Sequence, residues 1–291
     1  MGSTGKNRLA ARAAAAGIAS IAIWSVAPVL VKWGVSGANI ALFLVLRFTI
    51  SALGFVGMVP TLWARRRSLP GRIWGLLFLC LGANFYLQTL ALETLPAAAY
   101  IVLFALNPLL SFLVLRLPLT RRTVAAAAGA ILGAAVFMAA GDGSWALPRP
   151  AGLLAMAGGM LTWVMYTALL PPLQRVYTDA EVSGVTNLVA LAAVAPVCLA
   201  HLVSGTGLEL PGRALIAAIA LGVLLPLAYW MFSYSVRRAP VFGILCQYLE
   251  PVLGVLLAVL LLGERLLLHQ FVGGAIVITA MGLVPLSPSN T

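Results

Sequence analysis

The sequence predicts an all-α integral membrane protein, with ten transmembrane helices arranged as two inverted five-helix repeats around a central cavity. Three observations carry that prediction. Hydrophobic residues make up 62% of the chain and charged residues 9%, with a mean hydropathy of +1.06, whereas soluble domains carry about 25% charged residues. The apolar residues fall in long unbroken runs and do not alternate as barrel strands do, so the spans are helical. Finally, one stretch of the chain recurs in altered form further along.

The runs lie at 13–33, 39–62, 72–92, 97–116, 122–140, 151–171, 181–203, 213–236, 240–262 and 266–286. The first follows Lys6, Arg8 and Arg12. It is too long for a signal-peptide core and reads as an uncleaved helix. Trp24 lies at its middle, and Lys32 lies near its outer end, where a lysine snorkels. In the second, Arg47 is roughly 12 Å deep and must face protein or water, to meet either a substrate carboxylate or helix carbonyls. The third places Asn84 and Gln88 on one face. The fourth does the same for Tyr100, Phe104, Asn107 and Ser111, with Pro108 beside the asparagine.

The fifth run, from Arg122, carries Gly129 and Gly133 and no polar stripe. Small residues let helices approach closely, so it reads as scaffold or as a homodimer contact. In the sixth, Trp163 and Tyr166 share a face; the seventh carries Pro196; in the eighth, Trp230 shares a face with Ser233 or Tyr234, and Pro226 lies earlier. The ninth holds Gly243, Gln247, Glu250 and Gly254 along one α-helical face, with Pro251 next to the glutamate. The tenth, with Gly273, Gly274 and Gly282, matches the fifth in character.

Charge sets the orientation. The formal net charge of +11 would suggest nucleic acid in a soluble chain. Here the basic residues sit between spans, so no nucleic-acid partner is expected and the bilayer is the partner. With the N-terminus in the cytoplasm, thirteen Lys and Arg fall inside and three (Arg149, Arg213 and Arg265) outside, a positive-inside bias with both termini cytoplasmic.

The recurring stretch is ALETLPAAAYIVLFALNPLLS at 91–111 and SVRRAPVFGILCQYLEPVLG at 235–254. With one gap, Pro96 matches Pro240, and Asn107-Pro108 matches Glu250-Pro251. The repeats are therefore 1–143 and 144–291. Five spans is an odd number, so the second copy enters the membrane inverted. Inverted repeats place a substrate site near the midplane and permit alternating access.

These residues also resemble a family. Ile23-Trp24-Ser25, Lys32 and Leu46-Arg47-Phe48, then Glu250-Pro251, Leu262-Gly263-Glu264-Arg265 and Gly273-Gly274, are similar to the start and end of paired EamA-type units of the drug/metabolite transporter superfamily. The first half departs from the pattern, with Arg121 at the place of the Gly-Glu before the fifth span. The resemblance implies a ten-helix carrier, mostly exporting in bacteria, with a cavity lined by the first four spans of each half. It places the chain in a bacterial inner membrane, and the aromatic and amide residues resemble those of YddG-like amino-acid exporters.

On this reading the substrate-binding candidates are Trp24, Asn84, Gln88, Tyr100, Asn107, Trp163, Tyr166, Trp230, Gln247 and Glu250. Rings receive an apolar side chain and amides orient a polar end, although the same residues serve helix packing. A mid-membrane carboxylate costs about 2.5–3.5 kcal/mol on translocon scales, so Glu250 should face a cavity or be a paired structural group. Pro108 and Pro251 are hinge candidates or static kinks, since each leaves a carbonyl four residues back without its helical donor. No cofactor or metal is expected. Cys80, Cys198 and Cys246 lie in separate runs, and no phosphate-binding G-x-x-x-x-G-K-[ST] loop occurs. His201 and His269 sit near span ends, which argues against an enzyme. The expected function is export of amino acids or similar metabolites. Organic-cation or drug export, or a non-transporting membrane protein, is the alternative.

Overall fold

The computed structural model describes residues 3–95, 100, 104, 107–118, 120–138, 150–205, 207, 209–250, 252–254 and 267–283. Among them the secondary structure is helical, with no strand. The helices are α1 (Ser3–Val35), α2 (Ile40–Leu53), α3 (Val59–Arg65), α4 (Gly71–Thr94), α5 (Asn107–Val114), α6 (Arg121–Met138), α7 (Pro150–Val176), α8 (Asp179–Val203), α9 (Gly212–Arg238), α10 (Pro240–Leu245) and α11 (Leu268–Gly282).

Among the described residues, five helices are long and apolar enough to cross a bilayer: Arg8–Val35 of α1, then α4, α7, α8 and α9. A sixth crossing is completed if α2 and the segment Val56–Ser68 form one span, bent by 62°. The break falls at Gly54 and Phe55, whose N–H groups turn back to Ser51 and Ala52. Against ten expected spans the structure thus accounts for five or six. The expected spans at 97–116, 122–140, 240–262 and 266–286 lie partly outside the described residues. Pro240–Leu249 and Phe271–Gly282 remain as shorter apolar helices.

The chain divides into two compact units. Unit 1 is Met1–Val26, Ala98–Leu147 and Tyr234–Thr291; unit 2 is Ala27–Ala97 and Pro148–Ser233. Each draws residues from both halves of the sequence.

In unit 1, α6 packs along α11 and α5 against α10. The first pairing depends on glycine. A Cβ on Gly133 would lie 2.8 Å from the Gly273 carbonyl oxygen and from Val277, which no side chain tolerates. The two small-residue helices are thus each other's packing partners, as expected where close approach replaces the hydrophobic effect as the source of helix association.

In unit 2, α4 lies against α7 and α8, and α2 against α8. Hydroxyls inside these helices bond their own preceding turn: Thr89 to the Phe85 carbonyl, Thr167 to Val164 and Thr186 to Val182, each at 2.7–2.8 Å. Such back-bonding leaves no polar hydrogen facing hydrocarbon. One basic end of the unit is fastened at the start of α8. Thr178 and Glu181 form a reciprocal capping box, and Glu181 also pairs with Arg65. The Arg65 guanidinium donates to the Val176 carbonyl as well, at 3.0 Å.

Candidate functional site

Unit 2 gathers a buried cation, an amide pair and a chain of aromatic rings. Arg47 lies two turns into α2 and is only 5% exposed. Its guanidinium sits over the rings of Phe48 and Phe85, 4.7 and 5.1 Å from their centroids. Position and sequence explain this. The helix turns residues 43, 44, 47, 48 and 51 inward, so an arginine at 47 has no route to the lipid side. The α2 backbone is held against α9 by the Ser51 hydroxyl, which donates to the Gly222 carbonyl at 2.9 Å. At Gly222 a Cβ would lie 2.8 Å from the Arg47 carbonyl.

The rings continue from there. Phe48 and Phe85 are 4.6 Å apart, Phe85 meets Tyr229 edge-on at 6.4 Å, and Tyr229 meets Tyr166 at 5.9 Å and Trp163 at 6.3 Å. Trp163 in turn lies 5.4 Å from Tyr166 and 6.0 Å from Phe232. The Tyr166 hydroxyl is paired with that of Thr186 at 3.0 Å. The two edge-to-face contacts, Phe85–Tyr229 and Tyr166–Tyr229, each add about 0.5–1.5 kcal/mol to burial.

One helix face on, Gln88 donates its amide to the Asn84 carbonyl oxygen at 3.2 Å. Asn84 in turn donates to the Gly159 carbonyl at 2.9 Å and to the Thr162 hydroxyl at 3.2 Å. Gly159 makes this possible, because a Cβ there would touch Gln88 at 3.0 Å.

Of the sequence candidates, the structure therefore brings Trp163 and Tyr166 into one cluster, and bonds Asn84 to Gln88. It does not bring Trp230 there. Trp230 is 42% exposed, and its neighbour Tyr229 takes the inward position. The signal was present: Ala214, Ala218, Leu221, Leu225, Ala228, Tyr229, Phe232 and Val236 form the buried stripe of α9, and Trp230 lies about 100° away from Tyr229 around the helix. Phe48, Phe85, Tyr229 and Phe232 were missed because each is an ordinary apolar residue until α2, α4, α7 and α9 meet.

The remaining candidates lie in unit 1. Trp24 is buried in α1. Beside it, the Ser25 hydroxyl donates to the Ile21 carbonyl at 2.7 Å and to the Glu250 backbone carbonyl at 3.1 Å. Gln247 is buried and donates to the Ile244 carbonyl at 3.0 Å. The expected continuous α-face through Gly243, Gln247 and Glu250 is tightened instead: Cys246–Leu249 form a 3₁₀ turn, and the Glu250 N–H bonds the Gln247 carbonyl. The reason is in the sequence. Residue 251 is proline and has no N–H for that carbonyl, so a shorter bond takes its place. Glu250 itself is half-buried.

Tyr100 stacks on Phe104 at 5.7 Å. Asn107 is fully buried, with both amide atoms unpaired among the described residues. Pro108 is buried in the first turn of α5, and Pro251 lies outside the described residues. Lys32 does not simply snorkel: its ammonium donates to the Leu95 carbonyl at the end of α4, at 2.9 Å.

Comparison with known proteins adds three findings. The model of the EamA-like transporter family matches residues 11–139 and again 150–285, one match in each half of the chain. A solved structure titled only "Crystal structure of protein" superposes with a TM-score of 0.75 at 21% identity, over 94% of this chain and 97% of that one; this likeness is one of fold. No curated protein matches the chain.

Proposed function

Since the chain belongs to the EamA-like transporter family, and is therefore read as a multi-pass membrane transporter, we propose that it exports small amphipathic metabolites by alternating access, with aromatic or broadly neutral amino acids as the cargo. The observation that carries the cargo class is Arg47. A guanidinium held over Phe48 and Phe85 offers a planar fork matched to a carboxylate. The neighbouring rings of Tyr229, Trp163 and Tyr166 offer an apolar surface for the side chain. Asn84 and Gln88 lie on the same helix as Phe85 and supply amide dipoles for the polar end. An organic cation fits poorly beside a buried like charge.

Within unit 1 by itself, Trp24, Tyr100, Asn107, Gln247 and Glu250 are proposed as residues that contact cargo. Asn107 supports this assignment, because a buried amide left unpaired costs about 1–3 kcal/mol and is relieved by an arriving polar group. The proposed setting is a bacterial inner membrane with both termini in the cytoplasm.

The test is flux into proteoliposomes of purified protein, using labelled aromatic, aliphatic and charged amino acids, a nucleoside and an organic cation. Saturable flux of neutral amino acids is expected. Arg47→Gln should raise KM by about tenfold or more, the loss of one charge-assisted bond, while Arg47→Lys restores part of it. Flux of the cation alone would overturn the cargo assignment. Unchanged KM in folded Arg47→Gln would remove Arg47 from it.

A further inference from the structure

The bend after α2 has a consequence on the outside of unit 2. Where Val56–Ser68 departs by 62° from Ile40–Leu53, a cavity of about 800 Å³ opens between α3, the start of α4 and α8. That is within the size range of small-ligand sites, about 300–1,000 Å³. Its walls are apolar: Val59 and Leu62 from α3, and Val185, Leu188, Val189 and Ala192 from α8.

Its mouth is cationic. Arg66 and Arg67 both line it, and they differ from the arginine before them. Arg65 is committed to Glu181 and to the Val176 carbonyl. Arg66 has no carboxylate partner among the described residues; its guanidinium lies 3.8 Å from the centroid of the Trp63 ring and donates to the Trp63 carbonyl at 2.7 Å. Trp74 fixes the same turn by donating its indole N–H to the Arg66 carbonyl at 3.0 Å. Arg67 is exposed and has no hydrogen-bond or ion-pair partner among the described residues. Two tryptophans therefore hold Arg66, with Arg67 beside it and no carboxylate paired to either among the described residues, at the edge of an apolar groove, in the kind of setting that marks the headgroup level of a bilayer.

A free anion would use the arginines and leave the walls uncovered. An uncharged chain would use the walls and leave the arginines. We propose that the groove binds one anionic glycerophospholipid of the adjoining leaflet, its phosphate on Arg66 and Arg67 and an acyl chain along Val185, Leu188, Val189 and Ala192. Basic pockets between spans hold such headgroups through charge-assisted, bidentate contacts. A bound lipid bridges α3 and α8 beside the Arg65–Glu181 pair.

The probe is phosphatidylglycerol brominated on its acyl chains, which quenches nearby tryptophan, added to the full-length protein in detergent. Phosphatidylcholine brominated in the same way is the control, and a Trp63→Phe/Trp74→Phe variant isolates the signal of the two groove indoles. Phosphatidylglycerol should quench them at concentrations about tenfold or more below phosphatidylcholine. Arg66→Gln/Arg67→Gln should bring the two lipids together. Arg67→Gln alone, at an exposed position with no hydrogen-bond or ion-pair partner among the described residues, should narrow the gap. Val189→Phe, which fills the groove and leaves the arginines in place, should weaken both lipids. Inorganic phosphate should not displace the lipid. Equal quenching by the two lipids, a preference that survives loss of both arginines, or displacement by phosphate would each overturn the proposal.

Discussion

Arg47 puts a guanidinium inside an apolar bundle, at a cost that translocon scales set near 2.5–3.5 kcal/mol. Two aromatic faces offset part of it, each cation–π contact contributing about 0.5–2 kcal/mol. The ring chain beyond it gives a sharp contrast between adjacent residues on α9. Tyr229→Ala removes a ring touching Phe85, Trp163 and Tyr166, and should lower stability by about 3–5 kcal/mol, as large-to-small changes at packed aromatics do. Trp230→Ala, on the exposed face, should change it by about 0.5 kcal/mol or less. Denaturant unfolding of the two variants in detergent checks both. Asn84→Leu breaks the relay from Gln88 to Gly159 and should cost about 0.6–1.7 kcal/mol, the range of interhelical hydrogen bonds in membranes. The same unfolding measurement reads it.

The helices themselves meet in two ways. In unit 1, α6 and α11 touch backbone to side chain, because Gly133 leaves room for the Gly273 carbonyl and Val277. Gly133→Leu should therefore force the pair apart and cost about 1–3 kcal/mol or more, whereas Gly57→Ala, with nothing within 4 Å, should be close to neutral. A thermal-stability comparison in detergent decides it. In unit 2, the start of α8 is set by polar groups. Thr178→Ala removes one arm of the capping box and should cost about 1 kcal/mol, less than the Gly133 change because the site is at the water edge. The tightened turn at Cys246–Leu249 belongs to this scale too. A proline four residues ahead deprives one carbonyl of its donor, and the helix responds locally.

For the whole molecule, the positive-inside count predicts sidedness that labelling can read. The three native cysteines are buried, so they give little background. A Ser68→Cys thiol, beside Arg65–Arg67, should be shielded from a membrane-impermeant maleimide in intact cells and react after permeabilisation; a Ser204→Cys thiol should react in both. The reverse pattern would invert the proposed topology. Much of this was legible in the chain. Composition and run length announced a helical membrane protein, since hydrocarbon tolerates no unpaired backbone and 62% hydrophobic residues leave no other solvent. Period and spacing also paired Asn84 with Gln88 and Trp163 with Tyr166, because i, i+3 and i, i+4 neighbours share a helix face whatever surrounds them. Contacts between helices were not legible. That Phe48, Phe85 and Tyr229 join Arg47, that Tyr229 and not Trp230 turns inward, and that a groove opens beside Arg66 all depend on how α2, α3, α4, α7, α8 and α9 are rotated and bent against one another. Rotation is fixed by which small residue permits which approach, as Gly222 does for α2 and Gly159 for α4. That is a property of two surfaces together, and one helix read alone does not contain it.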